Sequence, residues 1–322
     1  MFFAKSKNIC IFANTGKVHN FILLLYINII NMVRRICRYM LLIVLWVMVA
    51  VPPIFAQQEQ QKNQPKVGVS LSGGGALGYA HLGFLQAMDE AGLKPDCLAG
   101  TSMGAIMGVL YAAGYSPRDI MQIVHREHMD GIFRFFRLNF RFNGGLMDTR
   151  RIQRILLDYI PHNSFDSLST RFYCCTSDMN NLQPDYIGHG DQLAQFVMAS
   201  AALPGILAPV EINNIFYVDG GIHDNLPVVP LIGEGCDIRI GVAIRIEQPH
   251  NIKNGRGIWK HAYSYATYAN TLANLGKFDD VVIIDPVGYW LTDFDDADEL
   301  FEIGYHAGRE YFKNFDLSNF QR

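Results

Sequence analysis

The first 56 residues contain no aspartate and no glutamate, although the 322-residue chain carries 30 acidic residues. The same stretch holds Lys5, Lys7, Lys17, Arg34, Arg35 and Arg38. The three arginines precede the apolar run Met40–Val51, and Pro52, Pro53 and Ala56 follow it. A basic segment, an apolar run of that length and a small residue before a polar stretch describe an export signal. Residues 1–56 are therefore expected to be a leader cleaved near Ala56, with the mature protein exported to a periplasm or secreted. The apolar Phe21–Ile30 keeps an uncleaved membrane anchor as the alternative, and a start at Met32 or Met40 would make 1–31 upstream sequence.

Other absences narrow the function. Six of the 27 basic residues lie in the leader, which leaves 21 against 30 acidic ones, a net charge of −9. That balance excludes a typical nucleic-acid binder, which needs a basic face. Only Cys97, Cys174, Cys175 and Cys236 remain after the leader, in apolar surroundings and without a disulfide spacing, so buried free thiols are expected. His125 and His128 share a helix face but have no further Cys/His pair beside them. The acidic DFDDADE at 293–299 lacks the central glycine and spacing of a calcium loop. No metal and no cofactor are therefore expected. No internal repeat or second linker appears. The polar, Gln-rich 57–65 reads as a linker, and 66–322 as one domain.

Within that domain, apolar runs alternate with helical periodicities. Strands are expected at Lys66–Leu71, Asp96–Ala99, Arg171–Ser177, Asp185–Ile187, Ile212–Val218, Ile238–Ile246 and Val281–Ile284. Helices are expected at Ala76–Ala91, Met103–Ala113, Ser116–His128, Asp148–Ile160, Asp191–Ala199, Trp259–Leu275 and Asp296–Phe312. The alternation predicts an α/β fold with a largely parallel central sheet and helices on both faces, whose sites lie at the carboxyl ends of strands. Aromatics at helical spacing in His261–Ala273 are expected to be core.

Three elements at such ends carry chemistry. Ser102 lies in GTSMG, a G-x-S-x-G turn in which Gly100 and Gly104 let the backbone pass closely. Gly73, Gly74 and Gly75 open a helix and offer N–H groups to a phosphate or to the oxyanion of a tetrahedral intermediate. A P-loop is excluded because no Gly-Lys-Ser/Thr follows. The run Gly73–Gly78 also fits a dinucleotide fingerprint, but the required acidic residue, Asp96, opens a strand instead of closing one. Asp219, before Gly220 and Gly221, can serve as a base or form a simple Asp-Gly turn, with Asn225 and Leu226-Pro227 helping to fix the loop.

In order, SGGGALGYAHLG, GTSMG, ASAALPGILAPV (199–210) and VDGGIHDNLPV (218–228) resemble the patatin-like phospholipase family, its bacterial exported branch, over about Lys66–Phe312. The resemblance implies a three-layer sandwich and a Ser-Asp dyad. Ser102 would be the nucleophile, Asp219 its base, and Gly73, Gly74 and Gly75 the oxyanion hole. Gly78, Gly100, Gly104, Gly220 and Gly221 would support the motifs. The substrate would be a phospholipid or another acyl-ester lipid. The family usually carries Arg or Lys where this chain has Leu77, a departure that bears on anionic headgroups and not on ester chemistry. Rival readings are a Ser-His-Asp α/β-hydrolase esterase or thioesterase, using His261 or His306, and a non-catalytic lipid-binding module. His223 is a loop residue near the site. IFRFFRLNFRF at 132–142 mixes rings and arginines in a way that suits contact with a membrane surface or packing on the core.

Overall fold

The computed structural model describes residues 24–46, 65–129, 150–245 and 255–316. It divides into two units, Met1–Gln64 and Pro65–Arg322. In the first, residues 24–46 form one helix, exposed along its length. Among the described residues no helix is long and apolar enough to cross a membrane.

The second unit is built on an eight-stranded sheet. Its strands are β1 (Val67–Leu71), β2 (Cys97–Thr101), β3 (Arg171–Asp178), β4 (Gln183–Ile187), β5 (Val210–Ile212), β6 (Ile215–Asp219), β7 (Ile238–Ile244) and β8 (Asp280–Ile284). β3, β2, β1, β7 and β8 run parallel in that order, while β4, β5 and β6 are antiparallel additions. β1 and β2 are buried at every residue, as expected of a parallel sheet covered on both faces. Alternation along β2 divides the core in two. Leu98 packs into the larger cluster on one face, and Cys97 and Ala99 into a smaller one with Leu226, Leu231 and Phe278 on the other.

The helices are α1 (Tyr79–Glu90), α2 (Met103–Ala112), α3 (Pro117–Arg126), α4 (Arg150–Tyr159), α5 (Leu193–Ser200), α6 (Val229–Gly233), α7 (Gly255–Leu275) and α8 (Ala297–Phe312). α2 is apolar on every side and all ten of its residues are buried, so it lies inside the molecule and not on its surface. Ser116 caps α3 by accepting from Asp119 N–H, with Pro117 at the first helical position. α1 packs along α8, where Phe84 meets Tyr311 and Phe312 at ring-centroid distances of 6.1 and 5.3 Å.

Two expectations are corrected. The single strand Ile212–Val218 is a hairpin, β5–β6, because Asn213 and Asn214 both take positive φ (52° and 63°) and turn the chain. The tyrosines of 261–273 are not uniformly core. Tyr265 and Tyr268 are 64% and 50% exposed. The inward face of α7 is polar instead, carrying Tyr263, Thr267, Asn270, Thr271 and Asn274 at helical spacing. Cys97, Cys174, Cys175 and Cys236 are buried free thiols.

One detail of the topology places the site. Residues 176–178 of β3 pair with β4 on one side, so β6 must take the other, which β2 occupies as far as Cys175. β2 runs parallel to β3 and ends opposite Cys175 at Thr101; β6 runs antiparallel and ends opposite Thr176 at Asp219. The two strands therefore point at one another, tip to tip, along one edge of β3.

Candidate active site

Ser102 follows the tip of β2 and caps α2 with φ 55° and ψ −123°, a region L-residues rarely occupy. The strain is held by backbone bonds. Ser102 N–H donates to Ser200 Oγ at 2.9 Å, and that hydroxyl donates to Cys175 C=O at 2.6 Å. The Ser102 carbonyl accepts from Ala105 and Ile106 N–H. So sharp an elbow needs neighbours without side chains: a Cβ on Gly104 would lie 2.4 Å from Leu71 O, and one on Gly100 2.6 Å from Gly104 O. Gly78 and Gly220 are equally confined, by Met103 and by the Cys175 carbonyl.

Asp219, at the opposing tip, is 1% exposed. Its Oδ1 accepts from Gly221 N–H at 2.8 Å, so the Asp-Gly-Gly turn and the placement of the carboxylate are one feature. Burial pushes its carboxyl up to about 6. The Ser102 hydroxyl, the Gly221 amide and the Tyr263 phenol all face the carboxylate and pull the other way, though Oδ2 has no bond of full hydrogen-bond geometry among the described residues. Tyr263 is in turn pushed well above the usual phenol range, by burial first and then by the Asp219 charge.

The three glycines divide. Gly74 and Gly75 line the pocket above Ser102, at the start of a 3-10 turn (Gly75–Gly78) that leads into α1. Gly73 does not line it, and its N–H donates to Asn225 C=O at 3.2 Å. Gly75, at φ 56°, fits under Leu291, whose carbonyl would stand 2.4 Å from a Cβ there. Of the three glycines expected as oxyanion donors, Gly74 and Gly75 line the pocket, while the Gly73 N–H is engaged by the Asn225 carbonyl.

The remaining pocket wall is largely apolar: Met103, Ile106, Ile152, Met198, Leu203, Ile206, Leu207, Trp290, Leu291 and Phe294. Leu77 is not part of it; 1% exposed, it packs into the main core. No histidine lines the pocket among the described residues. His306 is exposed on α8 beside Tyr305, and His261 lies on α7. His125 pairs with Asp298 at 3.0 Å. The segment 132–142 lies outside the described residues.

Several contributors were not legible beforehand. Ser200 lies inside the ASAALPG motif, which gave a place but no role. His81 is fully buried, donates from Nε2 to the Ser72 carbonyl at 2.7 Å, and is pushed by burial down to about 4, so it stays neutral. The polar face of α7 holds the loop after Asp219. Asn270 donates to Gly221 and Ile222 C=O and accepts from Asn225 N–H; Asn274 donates to Asp224. A hydroxyl and a buried carboxylate of raised pKa at the floor of an apolar pocket, beside two amide donors, is hardware for acyl transfer.

Lysophospholipase nte1 of Aspergillus fumigatus is 25% identical over 289 residues, covering 77% of this chain and 18% of the relative. An uncharacterized NTE family protein of Mycobacterium bovis is 29% identical over 199 residues, covering 60% of this chain and 53% of its own. This chain thus spans about a fifth of the fungal relative's length. VipD from Legionella pneumophila aligns with a TM-score of 0.46 at 13% identity, over 78% of this chain and 67% of its own. A family profile described as patatin-like phospholipase matches residues 69–232, a span that includes Gly73–Gly75, Ser102, Ser200, Asp219 and Asn225. This chain belongs to the patatin-like phospholipase family.

Proposed function

We propose that the protein is an exported serine lipid acyl hydrolase working through a Ser102–Asp219 dyad. The observation that carries this reading is the meeting of the β2 and β6 tips, which sets Ser102 against Asp219 under an apolar pocket. Asp219 takes the hydroxyl proton as Ser102 Oγ attacks the ester carbonyl carbon. The developing oxyanion is held by the Gly74 and Gly75 N–H groups, supported by the positive end of the helical start. The leaving alcohol departs with the proton from Asp219, and water then releases the acyl group. The apolar wall suits an acyl chain, and the buried Leu77 leaves no cation at that place for a headgroup phosphate. By this reading the substrate class is acyl-ester lipid, a phospholipid or lysophospholipid included. Residues 1–56 act as the leader and 57–65 as a linker, and the protein meets its substrate at a membrane surface.

Fluorophosphonate labelling together with fatty-acid release tests the reading. Wild type and the His261→Ala and His306→Ala variants are expected to label and turn over within about threefold of one another, because neither histidine lines the pocket. An unlabelled wild type would reject the enzyme, and loss of turnover in either histidine variant would restore the triad.

The raised Asp219 carboxyl also sets a pH dependence. The base works only when ionised, so kcat/KM on a soluble uncharged ester should rise through about pH 6 and stay level above it. Stability runs the other way. A buried carboxyl with raised pKa contributes fully below its unfolded value of 3.8, and that contribution is lost as pH rises through about 6. A profile flat from pH 5 to 8 would remove Asp219 as the base.

A further inference from the structure

Two buried acceptors in the pocket make no bond of full hydrogen-bond geometry among the described residues: Asp219 Oδ2, which Ser102 and Tyr263 nevertheless face, and Asn225 Oδ1. Asn225 is 3% exposed. Its amide orientation follows from its partners. The Thr271 hydroxyl donates to Thr267 C=O at 2.7 Å, so Thr271 Oγ1 can only accept, and Asn225 Nδ2 supplies that bond at 3.2 Å. Oδ1 is thereby turned into the site. It would lie 2.7 Å from a Cβ on Gly73 and 3.2 Å from one on Gly221, a point that the Tyr263 hydroxyl approaches to 2.8 Å and Asp219 Oδ1 to 3.0 Å. The same Gly73 Cβ would stand 3.1 Å from Ser102 Cβ. Asn225 Oδ1 therefore sits among the nucleophile, the base and the glycine loop, and a buried acceptor there is costly unless something donates to it.

We infer that Asn225 Oδ1 and Asp219 Oδ2 together hold the water that hydrolyses the acyl-enzyme. The inference rests on the dyad reading and concerns its second half. Water has two O–H groups, and Asp219 and Asn225, whose side chains both approach Gly221, each keep one acceptor without a bond of full geometry. One O–H donates to Asp219, the other to Asn225, and the oxygen lone pair is left aimed at the ester carbon on Ser102. In the step itself a carbon–oxygen bond forms from water to the acyl carbon while its proton passes to Asp219. The bond from the acyl carbon to Ser102 Oγ then breaks, and that oxygen recovers the proton from Asp219. The second water proton, still facing Asn225, leaves on the hydroxyl of the carboxylic acid. Attack by Ser102 on the first ester needs no such bridge, so Asn225 separates the two half-reactions.

Methanol tests this, because its single O–H serves Asp219 and leaves nothing for Asn225. Wild type and Asn225→Ala would be given a soluble ester with methanol at one fixed concentration, and methyl ester and free acid measured from the same acyl-enzyme. The ratio of methyl ester to acid does not depend on how much enzyme is folded. It is expected to rise at least about fivefold in Asn225→Ala, and deacylation to slow about tenfold more than fluorophosphonate labelling does. A wild-type ratio in the variant would overturn the inference, as would equal slowing of both half-reactions. Absence of labelling and of acid release in the wild type would instead reject the dyad reading beneath it.

Discussion

Replacing Ser102 with alanine is expected to lower kcat for fatty-acid release by roughly 10⁴-fold or more and to abolish fluorophosphonate labelling, with the fold intact. By the proposed mechanism the activity falls because the Ser102 hydroxyl, which faces Asp219 at the pocket floor, is the attacking nucleophile. The fold survives because the bonds that hold the elbow are made by the Ser102 backbone: the amide to Ser200 Oγ, the carbonyl to Ala105 and Ile106. Alanine keeps those bonds and the unfavourable φ of 55°. Glycine at the same position would relax the strain, so Ser102→Gly should be equally inactive yet more stable than Ser102→Ala by about 1 kcal/mol. Thermal melts of the two variants beside their turnover numbers make the comparison. Activity surviving in either variant would remove Ser102 from the chemistry.

The Asp219→Asn variant should lose about 10³-fold or more in kcat, and its melting temperature at pH 8 should rise, not fall. The amide oxygen can still accept from Gly221 N–H, so the turn is kept. What disappears is the base and, above about pH 6, a buried charge whose desolvation outweighs the help it receives from Ser102, Gly221 and Tyr263. The low-pH limb of any residual activity should vanish with it. A variant that labels at the wild-type rate would show that some other group takes the Ser102 proton.

Much of the site could be read from local chemistry. Glycine on both sides of Ser102 announces a turn where no Cβ fits, and backbone carbonyls do stand 2.4 to 2.6 Å from where those Cβ atoms would be. Asp219 was recognisable as the last residue of an apolar run before two glycines. The errors have a common cause. Gly73 counted as a donor because a glycine triplet says nothing about which N–H another loop has taken, and it was the Asn225 carbonyl, 152 positions later, that took it. The tyrosines of α7 counted as core because periodicity gives the spacing of a stripe and not its direction. Here the polar stripe turns inward to hold the 219–226 loop, and most of the rings turn outward.

The sequence by itself determined the elements and their order. Period-two and period-3.6 patterns mark where strands and helices form, and glycine marks where the chain must turn without side chains. It thereby named Ser102, Asp219 and the glycine loop. The tertiary structure alone decided that they meet. β3 extends beyond the end of β2, with β4 along its far side, so β6 is left only the edge past Thr101. Pairing there brings Asp219 opposite the tip that carries Ser102, although more than a hundred residues separate them. Hydrogen-bond geometry across a sheet edge carries that information, and no local pattern contains it.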